Sequence, residues 1–325
     1  MDGIGLAAYD ADVESVTGPT AGAADRSLAA DRSSGARASA LFRLRGASAL
    51  LPLRGAGALG RLFVEPPATL DKAPRPAVVT PDAEPYCAGN GPSAVLLCHG
   101  FTGSPRSLRR WATHLEADGY RVSLPRLPGH GTTWEELNST EWTDWYAAVE
   151  REFMRLRNEC DNVFVAGLSM GGCLALRLAE QFGADVAGIT VVNPAVMISD
   201  RRMLALPLLR RVLPSLEGIA SDIAMPHIVE GGYDRTPLHA LHSMVKMWHD
   251  VRANLHRIDQ PLLLYRSEQD HVVDPSSARA ILASISSTDV REVVLTRSYH
   301  VATMDYDAEE IFTGSSAFFR RLLTV

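Results

Sequence analysis

From Pro85 onward, short apolar runs alternate with amphipathic stretches of helical length. Ala94–His99 (AVLLCH), Tyr120–Arg126 (YRVSLPR), Asn162–Gly167 (NVFVAG), Gly188–Pro194 (GITVVNP), Pro261–Ser267 (PLLLYRS) and Arg291–Arg297 (REVVLTR) have the length and composition of strands. Between them, Ser104–Gly119, Glu141–Glu159 and Gly171–Gly183 carry patterns that predict helices. Strands that are apolar throughout must be covered on both faces, so the pattern predicts an α/β fold. Its sheet is mostly parallel, with helices on both sides. Residues about 195–240 break the alternation and predict a short insertion, a cap, over the C-terminal edge of the sheet. No internal repeat is present.

The first 75 residues follow a different pattern. TGPTAGAADRSLAADRSSGARASA is rich in Ala, Gly and Ser and lacks aromatic residues, which predicts disorder because little can be buried. LFRLRGASALLPLRGAGALGRLF interleaves apolar residues with arginines and has no acids, so it is either a low-complexity arm or a segment lying on an anionic membrane surface. It does not have the layout of a secretory signal. EPPATLDKAPRPAVVTP is a proline-rich linker. The expected organisation is therefore an arm and linker over residues 1–75 and a folded domain over 76–325.

Composition narrows the function classes. A net charge of -6 gives no general footprint for nucleic acid. Cys87, Cys98, Cys160 and Cys173 form no CxxC pair, which suggests neither a zinc site nor a disulfide framework. A cytoplasmic setting is the default, with peripheral membrane contact through the arm or the cap as the variant.

The candidate chemistry begins at Gly167-Leu168-Ser169-Met170-Gly171, where a strand pattern passes directly into a helix pattern. A serine on such a strand-to-helix turn projects its hydroxyl above the sheet, and the helix N-terminus offers free N–H groups to an oxyanion. The alternative is a tight structural turn. Upstream, LLCHGFTGSP ends a strand with His99-Gly100, and the N–H groups of Phe101 and Met170 are the predicted oxyanion donors. In this fold the acid and then the histidine follow the serine. The acid candidates are Asp270, Asp274 and Glu268. Asp270 is favoured, because Asp274 precedes Pro275 and looks like a helix cap. His300, after the last strand, is the expected base. His239, His242, His249 and His256 share approximate helical spacing but lack acidic or cysteine partners, which marks a helix surface rather than a metal site.

HGFTGSP, RLPGHGT, DWYAAVE, GLSMGG, EQDHVVDP and SYHVATMDYD occur in an order and spacing that resembles the bacterial monoacylglycerol lipases and related small carboxylesterases of the α/β-hydrolase superfamily. The resemblance runs from about Val95 to the C-terminal helix. It implies a triad of Ser169, Asp270 and His300, oxyanion donors Phe101 and Met170, and no cofactor or metal. SDIAMPHIVEGGYDRTP is similar to the family's cap, which implies that Glu230 meets glycerol hydroxyls and that Ile219 lies near an acyl channel. The expected activity is hydrolysis of monoacylglycerols or similar single-chain esters through an acyl-serine. A broad short-chain carboxylesterase and a non-catalytic lipid-binding or scaffolding protein are the alternatives.

Overall fold

The computed structural model describes residues 78–218 and 221–324. The arm predicted over residues 1–75 and Ile219, expected near an acyl channel, lie outside the described residues.

Along the chain run β1 (Tyr86–Ala88), β2 (Ser93–Cys98), α1 (Arg109–Ala117), β3 (Arg121–Leu124), α2 (Trp134–Asn138), α3 (Trp142–Glu159), β4 (Asn162–Leu168), α4 (Met170–Phe182) and β5 (Gly188–Val192). The cap follows with α5 (Leu206–Leu209), β6 (Ser215–Glu217) and β7 (Arg235–Pro237). The chain then returns to the sheet through α6 (Leu238–Asn254), β8 (Leu262–Ser267), α7 (Ser276–Ser284), β9 (Val290–Leu295) and α8 (Ala308–Leu322). Seven strands form one sheet in the order β1-β3-β2-β4-β5-β8-β9, parallel except at β1, while β6 and β7 pair as a separate ribbon.

Why the apolar runs are continuous is visible in β2, β4 and β8. Successive side chains of a strand point to opposite faces. Ala94 and Leu96 of β2, Val163 and Val165 of β4, and Leu262 and Leu264 of β8 enter one core with α3, α4 and α6. Their neighbours Val95, Leu97, Phe164, Ala166, Leu263 and Tyr265 enter a second core with α1 and α8. Both faces of the central strands are thus dry, which is the α/β-hydrolase arrangement, while the run predicted at Arg291–Arg297 becomes the edge strand β9, most of whose side chains meet solvent because no strand lies beyond it. Local signals close the helices: Thr133 accepts the Glu136 N–H at the start of α2, and Glu141 with Asp144 forms a capping box on α3.

Three features escape the sequence pattern. β1 is a three-residue, half-exposed edge strand antiparallel to β3. The β6–β7 ribbon is equally short. Neither is long enough to show a period. Pro128 and His130 sit in the loop after β3, where the Tyr233 hydroxyl of the cap accepts the Thr132 N–H (2.9 Å) and donates to Gly129 O (2.8 Å). Tyr233 thereby docks the end of the cap on the domain.

Candidate active site

Ser169 follows β4 and opens α4 with φ 56° and ψ -117°, a conformation that side chains rarely adopt. The flanking glycines are forced by packing. A Cβ on Gly171 would lie 1.8 Å from Cys98 O, and one on Gly167 would lie 2.2 Å from Gly171 O. Both contacts are to backbone, so no side chain can yield. Thr102 and Asn193, at φ 62° and φ 44°, are further positive-φ residues at the ends of neighbouring strands. Strain of this kind collects where a site over-determines the backbone.

Phe101 lies in the turn after β2, and Met170 is the first residue of α4. Neither N–H has an acceptor among the described residues. Gly100 lies against Ser169, whose Cβ would be 3.6 Å from a Cβ added to the glycine. The loop is braced from behind by His99. Its Nδ1–H donates to Gly100 O at 3.0 Å, and its Nε2 accepts the Leu127 N–H at 3.2 Å, which fixes the tautomer. Burial pushes His99 down to about 4, so the ring is neutral. His130, edge-on to His99 at 5.0 Å, is held well below the usual histidine range by burial. The bracing contacts of His99 and His130 join segments far apart in the chain, so no local spacing predicts them.

Asp270 and His300 come together as the motif order implies. The loops after β8 and β9 bring Asp270 Oδ2 within 2.7 Å of His300 Nδ1, with both side chains nearly out of solvent. The second oxygen, Asp270 Oδ1, accepts the N–H groups of Val272 and Val273 at 2.8 Å each. Burial pulls the His300 imidazole down, but the Asp270 carboxylate, its hydrogen bond, and the charges of Asp222 and Glu230 outweigh it, so the ring titrates above its ordinary value. Ser169 and His300 line one cleft, without a hydrogen bond between their side chains. In unliganded enzymes that contact is commonly long and tightens on substrate.

The other candidates fall elsewhere. Asp274 Oδ1 accepts the Ser276 N–H (2.8 Å) at the first residue of α7, and its Oδ2 accepts the Ser199 N–H (3.2 Å), so it braces the helix start from one residue before the N-cap Pro275. Glu268 is exposed. His239 and His249 accept from Arg210 and Arg252 at the surface.

The cleft is mainly apolar. Ala195, Ile198, Leu241, Met244, Trp248 and Val273 form its walls, from the cap, α6 and the acid loop. Glu230 reaches into it from the cap and lies over Gly103, where a Cβ would approach Glu230 Oε1 to 2.6 Å. The Glu230 carboxylate has no hydrogen-bond partner among the described residues, and burial raises its pKa to about 7 despite the opposing pull of His300. An acceptor left open beside a serine and an apolar wall is suited to a ligand with hydroxyl groups at one end and hydrocarbon at the other.

Comparison with known proteins agrees with this geometry. Residues 91–307 match the family model described as serine aminopeptidase, S33. The thermostable monoacylglycerol lipase of Bacillus sp. strain H-257 is 44% identical over 240 residues, covering 74% of this chain and 95% of the lipase. The carboxylesterase of Bacillus subtilis strain 168 is 28% identical over 248 residues, covering 75% of this chain and 98% of the esterase. A solved structure from the metagenome-derived lipolytic enzymes LipS and LipT superposes with a TM-score of 0.73 at 38% identity, over 75% of this chain and 100% of that one. From its fold, its serine turn and these relatives, the chain belongs to the serine aminopeptidase S33 family of α/β-hydrolases.

Proposed function

We propose that this protein hydrolyses monoacylglycerols and similar single-chain carboxylic esters, with Ser169 as nucleophile. The observation that carries the proposal is the open Glu230 carboxylate in the same apolar cleft as Ser169 and His300. The Bacillus lipase at 44% identity supports the same substrate class. A peptidase would need a place for a charged amino terminus. A carboxylate could supply one, but the apolar wall suits an acyl chain better.

Ser169 Oγ attacks the ester carbonyl while His300 Nε2 takes its proton. Asp270 holds the opposite nitrogen and stabilises the imidazolium. The N–H groups of Phe101 and Met170 receive the oxyanion, with the positive end of α4 behind it. Protonated His300 hands its proton to the leaving glycerol oxygen, which leaves an acyl-serine. Water activated by the now neutral His300 then releases the fatty acid. The acyl chain gains about 0.8 kcal/mol for each methylene it buries along the cleft wall.

The test is a substrate panel of 1- and 2-monoacylglycerols, p-nitrophenyl esters of rising chain length, and aminoacyl p-nitroanilides. The proposal expects monoacylglycerols to be turned over and Ser169→Ala to abolish both their hydrolysis and labelling by a fluorophosphonate. Preference for the anilides would make the protein a peptidase. Preference for the shortest esters, with monoacylglycerols ignored, would make it a general carboxylesterase.

A further inference from the structure

Asp222 belongs to the cap, yet its hydrogen bonds lie on the two loops that present Asp270 and His300. Its Oδ2 accepts the backbone N–H of His300 (3.1 Å) and the backbone N–H of His271 (3.1 Å). Its Oδ1 lies 2.8 Å from His271 Nδ1, and its carbonyl accepts the Val301 N–H at 3.0 Å. One residue therefore takes N–H groups from both loops, spanning 49 positions of sequence to His271 and 78 to His300.

The histidine loop returns the contact. The buried carboxylate of Asp305 accepts the N–H groups of Ala224 (2.6 Å) and Met225 (2.9 Å) in the cap, and also that of Tyr299 (2.9 Å) in its own loop. On the other side of the residue, His300 O accepts from Asn193 Nδ2 at 2.8 Å. Side chains from the cap and from the end of β5 thus fix the His300 backbone before and after its Cα. Nothing else in the described cap bonds to both loops.

We propose that Asp222 is a positioning residue for the base of the proposed mechanism, holding the acid loop and the histidine loop at one separation. The 2.7 Å contact between Asp270 and His300 then depends on a side chain supplied by the cap. Because a carboxylate acceptor makes stronger bonds to N–H groups than a neutral one, both loops are held by charge-assisted bonds. A displacement of the imidazole by about 1 Å is enough to lower turnover roughly 100-fold. Asp222 also acts on the ring through its charge. The charged groups facing His300 are Asp270 from the loop after β8 and Asp222 and Glu230 from the cap, with neutral Asn193 from the end of β5. Removing the Asp222 charge disfavours the imidazolium.

This inference rests on His300 being the base, so the experiment separates the two. Asp222→Asn is isosteric and keeps one oxygen for the two N–H groups but removes the charge that strengthens both bonds, and Asp222→Ala offers no acceptor. Both are assayed on a short p-nitrophenyl ester, which carries no glycerol, beside His300→Ala. Asp222→Asn is expected to lower kcat about 10-fold and Asp222→Ala up to about 100-fold, with KM within about 2-fold. In Asp222→Asn the acid limb of the kcat/KM profile should move to lower pH by about half a unit to one unit. A residue that only supported the fold would lower Tm and leave that limb in place. Unchanged kcat in Asp222→Asn, or a lower kcat with an unmoved limb, overturns the inference. Should Asp222→Ala not fold, the isosteric variant decides alone. Retained activity in His300→Ala would instead overturn the mechanism itself.

Discussion

At Asp270 and Asp274 the chain offers two carboxylates four positions apart on one loop, and the proposed mechanism needs only one. Asp270 spends one oxygen on His300 and the other on the N–H groups of Val272 and Val273, which fix its carboxyl plane. Asp274 is occupied with Ser276 and Ser199. Replacing Asp270 by Asn keeps the size but favours the wrong imidazole tautomer, and a loss of about 10⁴ in kcat is expected. Asp274→Asn should keep most of the rate, because an amide oxygen can still cap α7. The check is kcat for both variants on one p-nitrophenyl ester, and a dead Asp274→Asn beside an active Asp270→Asn would reverse the assignment. The distinction was legible in sequence because Asp-Pro marks a helix start. The roles of Asp222, Asn193 and His130 were not, since each depends on contacts between segments far apart in the chain, and no local spacing records them.

The cap is the element whose structure the sequence conveyed least. Its strands have three residues each, and its conformation is held by tertiary bonds from Tyr233 and Asp305 rather than by periodicity. Its chemistry nonetheless gives a pH signature. Glu230 titrates at about 7, raised by burial, and it accepts hydroxyl hydrogen bonds with both oxygens only when ionised. His300 is a base only when neutral, and its carboxylate neighbours raise its pKa, so the neutral form is lost as pH falls through a value above 6.5. Under the proposed mechanism a monoacylglycerol needs both groups deprotonated, whereas a p-nitrophenyl ester needs only His300. Below about pH 7 the logarithm of kcat/KM should therefore fall toward a slope of 2 for monoacylglycerol and 1 for the p-nitrophenyl ester. Parallel limbs for the two substrates would separate Glu230 from glycerol binding.

At the scale of the whole molecule, β2, β3, β4, β5 and β8 follow from apolar runs that the fold buries, whereas the run at β9 forms an edge strand that leaves Val290 and Val294 exposed. The turn at Ser169 was legible from its glycines, because Gly167 and Gly171 are dictated by close backbone contacts that leave no room for a Cβ. No such local constraint fixes Glu230. It enters the cleft only because the cap folds back over Gly103, so its proposed role came from family resemblance and its position from the structure. That makes the most direct measurement the ratio of kcat/KM for a monoacylglycerol to that for a p-nitrophenyl ester of the same acyl chain, in the unaltered protein and in Glu230→Gln and Glu230→Ala. Charge-assisted bonds to the glycerol hydroxyls contribute about 1.5–3 kcal/mol, so the ratio should fall roughly 10–100-fold while the p-nitrophenyl rate stays nearly unchanged. A ratio that does not move would contradict the account and leave the protein a carboxylesterase without glycerol selection.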